Sequence, residues 1–252
     1  MKTVGIIPAR LQSTRLPRKL LLSETGRPLI EYVWRIATEC SVLDDVIVAT
    51  DSDEIARVVR EFGGRAEMTG DHPSGTDRIA EVVRRCCDDA EIVVNLQGDE
   101  PELSPVVVSE LHAALMSSDC EMATVATPIT ESSVVRDPGC VKVVVSDSGQ
   151  AMYFSRSPIP FSRDVSIDEV LSGETASPWL LHIGLYAYRR DFLLRLTTMP
   201  PSSLELLERL EQLRALQSGA RIAVAVTQHA SSGIDTPQDY AAFVRRQALR
   251  SQ

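Results

Sequence analysis

Apolar runs of strand length recur along this chain with amphipathic helical stretches between them. That alternation constrains the fold more than any other feature. Val4 to Ile7, "DVIVAT" (Asp45 to Thr50), "EIVVNLQ" (Glu91 to Gln97) and "MATVATPI" (Met122 to Ile129) are apolar at mostly consecutive positions, not at every second one. Strands of this kind are buried on both faces, as in a parallel sheet covered by crossover helices. The intervening helices are readable from their ends. Pro28 opens one through Glu39, Asp53 to Phe62 stops at Gly63-Gly64, and Thr76 to Cys86 and Pro105 to Leu115 follow. Proline suits a first turn and glycine the position past the last one.

The middle of the chain breaks this rhythm. Val141 to Asp147 and Ala151 to Arg156, either side of Gly149, read as a hairpin, and Leu181 to Arg190 as another strand. They suggest an antiparallel insertion or extension. Residues 161 to 179 read as a long, mobile polar loop, and such loops inside compact domains are often functional. Ser202 to Ser218 reads as the clearest helix, with capping-box spacing at Ser202 and Glu205 and a stop at Gly219. On it, Leu207, Leu210 and Leu213 are expected to face the core, with Glu208, Glu211 and Gln212 on a neighbouring polar stripe. Arg221 to Gln228 and Thr236 to Arg250 close the chain as strand and helix. The expected fold is one α/β domain over residues 1 to 252. It has a mostly parallel sheet, helices on both faces, and an antiparallel extension inserted around residues 130 to 190.

Composition narrows the function. The 252 residues carry a formal net charge of -9, which disfavours nucleic acid and anionic lipid as partners. No apolar run is long enough to span a bilayer, and the N-terminus runs straight into a strand without a signal-peptide layout. The five cysteines, Cys40, Cys86, Cys87, Cys120 and Cys140, form no CxxC pair, so small buried hydrophobes in a reducing cytoplasm are expected.

Ligands of an open parallel sheet bind at the carboxyl ends of its strands. Four polar stretches fall there: "IIPARLQSTRLPRK" from Ile6, "TDSD" from Thr50, "DHPSGTDR" from Asp71 and "QGDEP" from Gln97. The first contains neither a Walker A nor a GxGxxG pattern. Its Arg10, Arg15 and Lys19 suit a triphosphate, arginine as a planar fork and lysine as a point charge. A solvated basic loop is the plain alternative. Asp99 suits a hard cation bound to phosphates, or a simple strand-ending turn. Ser74 and Gly75 permit close backbone approach to an anion at a helix start, or merely cap it.

Taken together, "IIPARLQSTRLPRKLL", "HPSGTDRIAEV", "VNLQGDEP", "VKVV", "AMYFSRSPIP", "HIGLYAYR", "LELLERLEQLRAL" and "GIDTPQD" resemble, in this order, the 3-deoxy-manno-octulosonate cytidylyltransferases (CMP-KDO synthetases) of the sugar nucleotidyltransferase group. The resemblance implies a nucleotidyltransferase-type fold, a homodimer, and magnesium-dependent transfer of CMP from CTP to an acidic 3-deoxy sugar. It gives Arg10, Ser13, Arg15 and Lys19 to the phosphates, and Ser74, Gly75 and Arg78 to cytosine and ribose. Asp99 and Asp235 become magnesium ligands, with Asp235 or Thr236 as a helix cap the alternative. Arg156, His182, Tyr186, Glu211 and Gln212 form the sugar set, and Gln97 serves nucleotide and sugar. It also implies that the insertion around 130 to 190 serves dimerisation or sugar binding. Arg10, Lys19, Asp99 and Asp235 are the expected catalytic residues. The chain differs from the common pattern at Leu11, Arg18 (often glycine), Asp77, Leu181 (often basic) and "DPGC". Rival readings are a cytidylyltransferase for another acidic sugar, such as 8-amino-KDO or a sialic acid, and a non-catalytic protein that binds CTP or a CMP-sugar.

Overall fold

The computed structural model describes residues 1–173, 176–229 and 233–250. The chain forms two compact units, Met1–Ser109 with Ser231–Gln252, and Glu110–Ala230. In the first, β1 (Thr3–Ala9), β2 (Asp45–Thr50), β3 (Arg65–Met68) and β4 (Ile92–Asn95) are parallel, in the order β3-β2-β1-β4. All of β1 except Pro8, and all of β4, is buried. Both faces of these strands are therefore covered, which is what their consecutive apolar positions require. Burying a side chain such as Ile6 or Ile7 contributes roughly 1.5–3 kcal/mol.

The helices of this unit are α1 (Leu29–Glu39), α2 (Asp53–Glu61) and α3 (Gly75–Cys86); α4 (Pro105–Met116) begins in it, and a C-terminal helix spans Pro237–Arg250. The oxygen of Ser52 accepts from Ile55 N to cap α2, and Gly63 ends it at φ +88. That left-handed turn suits glycine. Ser74 caps α3 in the same way, accepting from Asp77 N. The short strand β3, "RAEM", has no apolar run and was not expected from the sequence. Leu16, Leu29, Ile234, Tyr240 and Phe243 form one apolar cluster, which docks the C-terminal helix and the segment before it.

The second unit contains β5 (Met122–Pro128), α5 (Ser132–Arg136), β6 (Lys142–Val145), β7 (Ala151–Ser155), α6 (Ile167–Leu171), β8 (Leu180–Arg189), α7 (Arg190–Leu196), α8 (Ser203–Glu208), α9 (Gln212–Gln217) and β9 (Ile222–Val226). β5 runs parallel to β9 and antiparallel to β8, while β6 pairs antiparallel with β7 and β8. The expected hairpin and antiparallel element are both present, and residues 130 to 190 fall within this unit.

Two expectations are corrected here. The segment 161 to 179 is not one loop. It holds α6, whose ends are fixed by a capping box of Ser166 and Glu169, and the buried Trp179, whose indole N–H donates to Pro160 O at 2.9 Å. Ile167, Val170 and Leu171 pack at helical spacing on the cluster of Ile129, Val135 and Trp179, but five residues are too few for that period to declare a helix; residues 174 and 175 of this segment lie outside the described ones. The helix expected over Ser202 to Ser218 is two helices, because Arg209 turns left-handed at φ 53. Leu207 is 81% exposed, while Leu210 and Leu213 are buried, so the regular leucine stripe does not face one core. Tertiary contacts override the helical propensity. The Glu208 carboxylate accepts from Ser155 Oγ and Arg156 N, and the Arg156 Nε–H donates to Glu208 O at 2.7 Å. Helices α5 and α7 were likewise not expected.

Lys142 fixes the start of the hairpin. It is fully buried, and its ammonium donates to Asp137 O (2.9 Å), Cys140 O (2.5 Å) and Arg156 O (2.6 Å). Burial pushes its pKa below the usual ammonium value. Three donors meet three acceptors, so the buried charge is hydrogen-bonded throughout. Lys142→Met removes the donors and leaves three carbonyls facing an apolar stem. We expect it to lower the unfolding free energy by at least about 2 kcal/mol, measured by urea titration. A variant within about 0.5 kcal/mol of the parent, the ordinary range for surface changes, would contradict this account.

Candidate active site

In the first unit, the loop after β1, the start of α3 and the turn after β4 enclose a cleft of about 540 Å³. Arg10, Ser13, Arg15, Lys19, Ser74, Gly75, Arg78, Gln97, Asp99 and Asp235 all line it. Ten positions named from the sequence thus meet at one place. Three of the four polar stretches contribute lining residues directly. The fourth, Thr50 to Asp53, contributes through Asp51, which accepts from the Arg78 guanidinium at 2.6 Å.

The basic loop is held down from within. Leu16 is buried in the apolar cluster and Leu20 packs against Gly98, so Lys19 between them is 8% exposed. Its ammonium lies 2.5 Å from Asp99 Oδ2 and 3.1 Å from Asp235 Oδ1. The other oxygen of Asp235 is 2.8 Å from the Arg15 guanidinium. Arg18, ahead of Lys19, takes a left-handed conformation at φ 56 and pairs with Glu54, turned to α2. That backbone explains the departure at this position, since glycine adopts it without a steric cost. Arg10 is exposed, and no carboxylate pairs with it among the described residues.

Asp235 reaches the cleft because Ile234 N donates to Asp99 O at 2.9 Å while the Ile234 side chain is buried. The helix cap that follows belongs to its neighbours. Thr236 Oγ1 accepts from Asp239 N, and Asp239 Oδ2 accepts from the N–H groups of Asp235 and Thr236. The carboxylate of Asp235 takes no part in this cap and faces Lys19 and Arg15.

At the start of α3, Ser74 Oγ donates to Asp77 Oδ2 at 2.9 Å. A side chain at Gly75 would come within 3.3 Å of the Pro8 ring, so only glycine fits there without displacement. Arg78 is buried, and besides Asp51 it donates to Thr69 Oγ1 at 2.5 Å. It braces the loop that carries His72, whose Nε2 lies 2.6 Å from Glu81 Oε2. Gln12, Thr14, His72 and Gly98 also line the cleft and had not been singled out. Their signal was position within the motifs already named, not residue type.

No group of three or more His, Cys, Asp or Glu side chains that could cage a metal occurs among the described residues. Two carboxylates nevertheless converge on one cationic point, Lys19 Nζ. Magnesium is commonly held by one or two carboxylates with phosphate oxygens and water. The donor set therefore fits magnesium bound with a phosphate-bearing ligand, and does not fit zinc held in a Cys/His cage.

The five residues of the sugar set lie in the second unit. His182 on β8 is edge-on to Phe154 at 5.0 Å and beside Tyr186 at 5.5 Å. Burial pushes its pKa down to about 3, so it is neutral at ordinary pH. Burial, then the negative charge of Glu211, raises the pKa of the Tyr186 phenol well above its usual value. Gln212 is buried, with its amide nitrogen unpartnered among the described residues. Buried amides are normally satisfied, so this N–H group is left able to donate to a ligand. The Arg156 guanidinium is engaged by the carbonyls of Pro138, Glu208 and Arg209. Leu181 packs with the apolar cluster of Ile129, Val135 and Trp179. Adjacent strand residues point to opposite faces, so this departure from the common pattern is turned away from His182.

The cytidylyltransferase family pattern matches residues 4–222. The 3-deoxy-manno-octulosonate cytidylyltransferase of Geobacter sulfurreducens is 48% identical over 244 residues, 95% of this chain and 96% of that one. The protein of that name from Rhodopirellula baltica is 45% identical over 98% of each chain. A structure of a CMP:2-keto-3-deoxy-manno-octonic acid synthetase complexed with CTP superposes with a TM-score of 0.88 at 40% identity, covering 100% of this chain and 99% of that one. A cytidylyltransferase from Leptospira borgpetersenii, 14% identical with a TM-score of 0.63, shares the fold alone. Similarity of this extent, over both compact units, confirms the family read from the motifs: the chain belongs to the cytidylyltransferases, among the 3-deoxy-manno-octulosonate cytidylyltransferases.

Proposed function

We propose that this protein transfers CMP from CTP to 3-deoxy-D-manno-octulosonate (KDO), giving CMP-KDO and pyrophosphate for lipopolysaccharide synthesis. The observation that carries the reading is the near full-length identity, 48% and 45%, to enzymes of that name. The cleft lined by Arg10, Lys19, Asp99 and Asp235 supports it. The anomeric hydroxyl of the sugar attacks the α-phosphorus of CTP in line. A new P–O bond forms as the hydroxyl gives up its proton to water, the α–β bridge breaks, and pyrophosphate leaves with the electron pair. Orientation of the attacking oxygen and neutralisation of charge on the phosphates are the two effects the protein supplies. Arg10, Arg15 and Lys19 serve the phosphates with Ser13, while Ser74, Gly75 and Arg78 serve the nucleoside. Gln97 serves nucleotide and sugar. His182, Tyr186, Glu211 and Gln212 hold the sugar, and Arg156 fixes the backbone ahead of the last two. No covalent enzyme intermediate is required.

Asp99 and Asp235 hold magnesium on this reading. Bound there, the ion supplies charge stabilisation at the phosphoryl oxygens. Lys19 and Arg15 pair with the same two carboxylates. We also propose a cytoplasmic enzyme that works as a homodimer. No described helix is long and apolar enough to cross a membrane.

Pyrophosphate release with CTP and KDO, against ATP, GTP, UTP and other acidic sugars, tests the assignment. Turnover with another sugar alone, or binding of CTP without release, would replace it. Within the cleft, Arg10→Ala should cost about ten- to hundredfold in kcat/KM for CTP, the loss of one charged hydrogen bond of roughly 1.5–3 kcal/mol. Its melting temperature should stay unchanged, because the side chain is exposed. Parental kinetics at subsaturating CTP would remove Arg10 from the site. Lys19→Ala should lose at least as much activity and also melt earlier, since it leaves two carboxylates facing each other.

The metal assignment separates from the cap. Asp235→Asn and Asp99→Asn should nearly abolish turnover at ordinary magnesium. Thr236→Ala should lose about 0.5–2 kcal/mol of stability with turnover retained. If Asp235→Asn turns over normally across a magnesium titration, the shared site is wrong. For the sugar, Glu211→Ala and His182→Ala should raise the KM for KDO more than that for CTP. Equal effects on both would assign these residues to the fold.

A further inference from the structure

Thr124 on β5 belongs to none of the sets above. It is fully buried, and its hydroxyl has three neighbours: Leu185 O at 2.8 Å, Ile183 O at 3.3 Å and His182 Nε2 at 2.9 Å. The β5–β8 register shifts between Thr124 and Val125, so the hydroxyl meets strand carbonyls at the irregularity of the ladder. A hydroxyl carries one proton, and a carbonyl oxygen can only accept. The proton therefore points to the carbonyls, with Leu185 the nearer. The contact to His182 then requires Nε2 to donate into the hydroxyl lone pair. A neutral imidazole has one N–H, so Nδ1 is left bare and can only accept.

We propose that Thr124 is a positioning residue that locks His182 in the Nε2–H tautomer, so that Nδ1 takes a hydroxyl group of the sugar and not its carboxylate. A bare ring nitrogen attracts an O–H donor and repels a carboxylate oxygen, and an acidic sugar offers both. This choice between the two ends of the sugar is a consequence of one threonine on the neighbouring strand. It rests on the assignment of His182 to the sugar in the proposed function. The burial that keeps the ring neutral acts in the same direction.

The tautomer is readable without turnover. Long-range proton–nitrogen correlation on 15N-labelled full-length protein, with the His182 signals assigned by their loss in His182→Gln, should show a protonated Nε2 and a bare Nδ1. Thr124→Val should lose that preference and Thr124→Ser should keep it. In kinetics, Thr124→Val should raise the KM for KDO about tenfold with the KM for CTP within about twofold, and Thr124→Ser should restore the sugar KM. A protonated Nδ1 in the parent protein overturns the proposal even if no valine variant folds. So does a folded Thr124→Val with parental sugar KM, or a serine variant as impaired as the valine one, which would make Thr124 a support of the ladder only. If His182→Ala leaves the sugar KM unchanged, the sugar assignment fails and takes the proposal with it, whereas the tautomer spectrum still reports the Thr124–His182 bond on its own.

Discussion

The ammonium of Lys19 joins three parts of the chain that lie far apart in sequence. Asp99 is 80 residues away along the sequence and Asp235 is 216. A cation this deeply buried needs partners, because an unpaired charge in low dielectric is strongly destabilising. The cleft follows from meeting that need. Leu16 and Leu20 sink the loop, Ile234 sinks the returning segment, and both carboxylates are left at the one spot where a charge can be matched. The bond from Ile234 N to Asp99 O sets the last part of this register. The basic loop that looks anomalous in an acidic chain is therefore an internal element, anchored by apolar residues within its own motif.

The second unit has its own centre of constraint, built from carbonyls instead of carboxylates. Lys142 and Arg156 between them donate to six backbone oxygens, those of Asp137, Cys140, Arg156, Pro138, Glu208 and Arg209. Glu208 closes the set by accepting from Ser155 and Arg156 N. This arrangement ends α8 at Arg209 and starts α9 three residues later, so Glu211 and Gln212 stand at a helix beginning and not on the flank of a long helix. Gln212 is buried as a result, where a continuous helix would have left it on an exposed polar stripe.

Much of this was legible in the sequence, for reasons that differ by element. Strands β1, β2 and β4 are buried on both faces, and consecutive apolar residues can report little else. Caps at Ser74 and Ser202 were legible because their partners lie within one turn. The break at Arg209 was not, because every residue from Ser202 to Ser218 is a fair helix former and the cause lies in Arg156, far away in the chain. Helix α6 was hidden for the opposite reason, being too short for its three apolar residues to declare a period and held by its own capping box. The cleft residues were legible by type and motif. Whether Asp235 acts as a cap or faces the cleft was not, since "GIDTPQD" permits both and only the contacts of Asp239 separate them. Thr124 carried no signal at all, sitting mid-strand where a β-branched residue is expected.

The charge inventory of the cleft links its two proposed ligands. Arg78 is matched by Asp51 and Glu81 by Arg85, which leaves Arg10, Arg15 and Lys19 against Asp99 and Asp235. Three cations against two carboxylates give too little excess to hold a triphosphate tightly. Two carboxylates already paired with Lys19 and Arg15 are equally a poor site for a dication alone. The ligands solve each other's problem. Phosphate oxygens would draw Lys19 and Arg15 to themselves and free Asp99 and Asp235 to hold a dication, which would supply the positive charge the cleft lacks. Each then raises the affinity for the other by the same factor, as linkage requires. On this reading the Lys19 cluster is more than a structural tie: its ion pairs would be the ones exchanged as nucleotide and metal bind, so the contact that organises the cleft would also couple its two ligands.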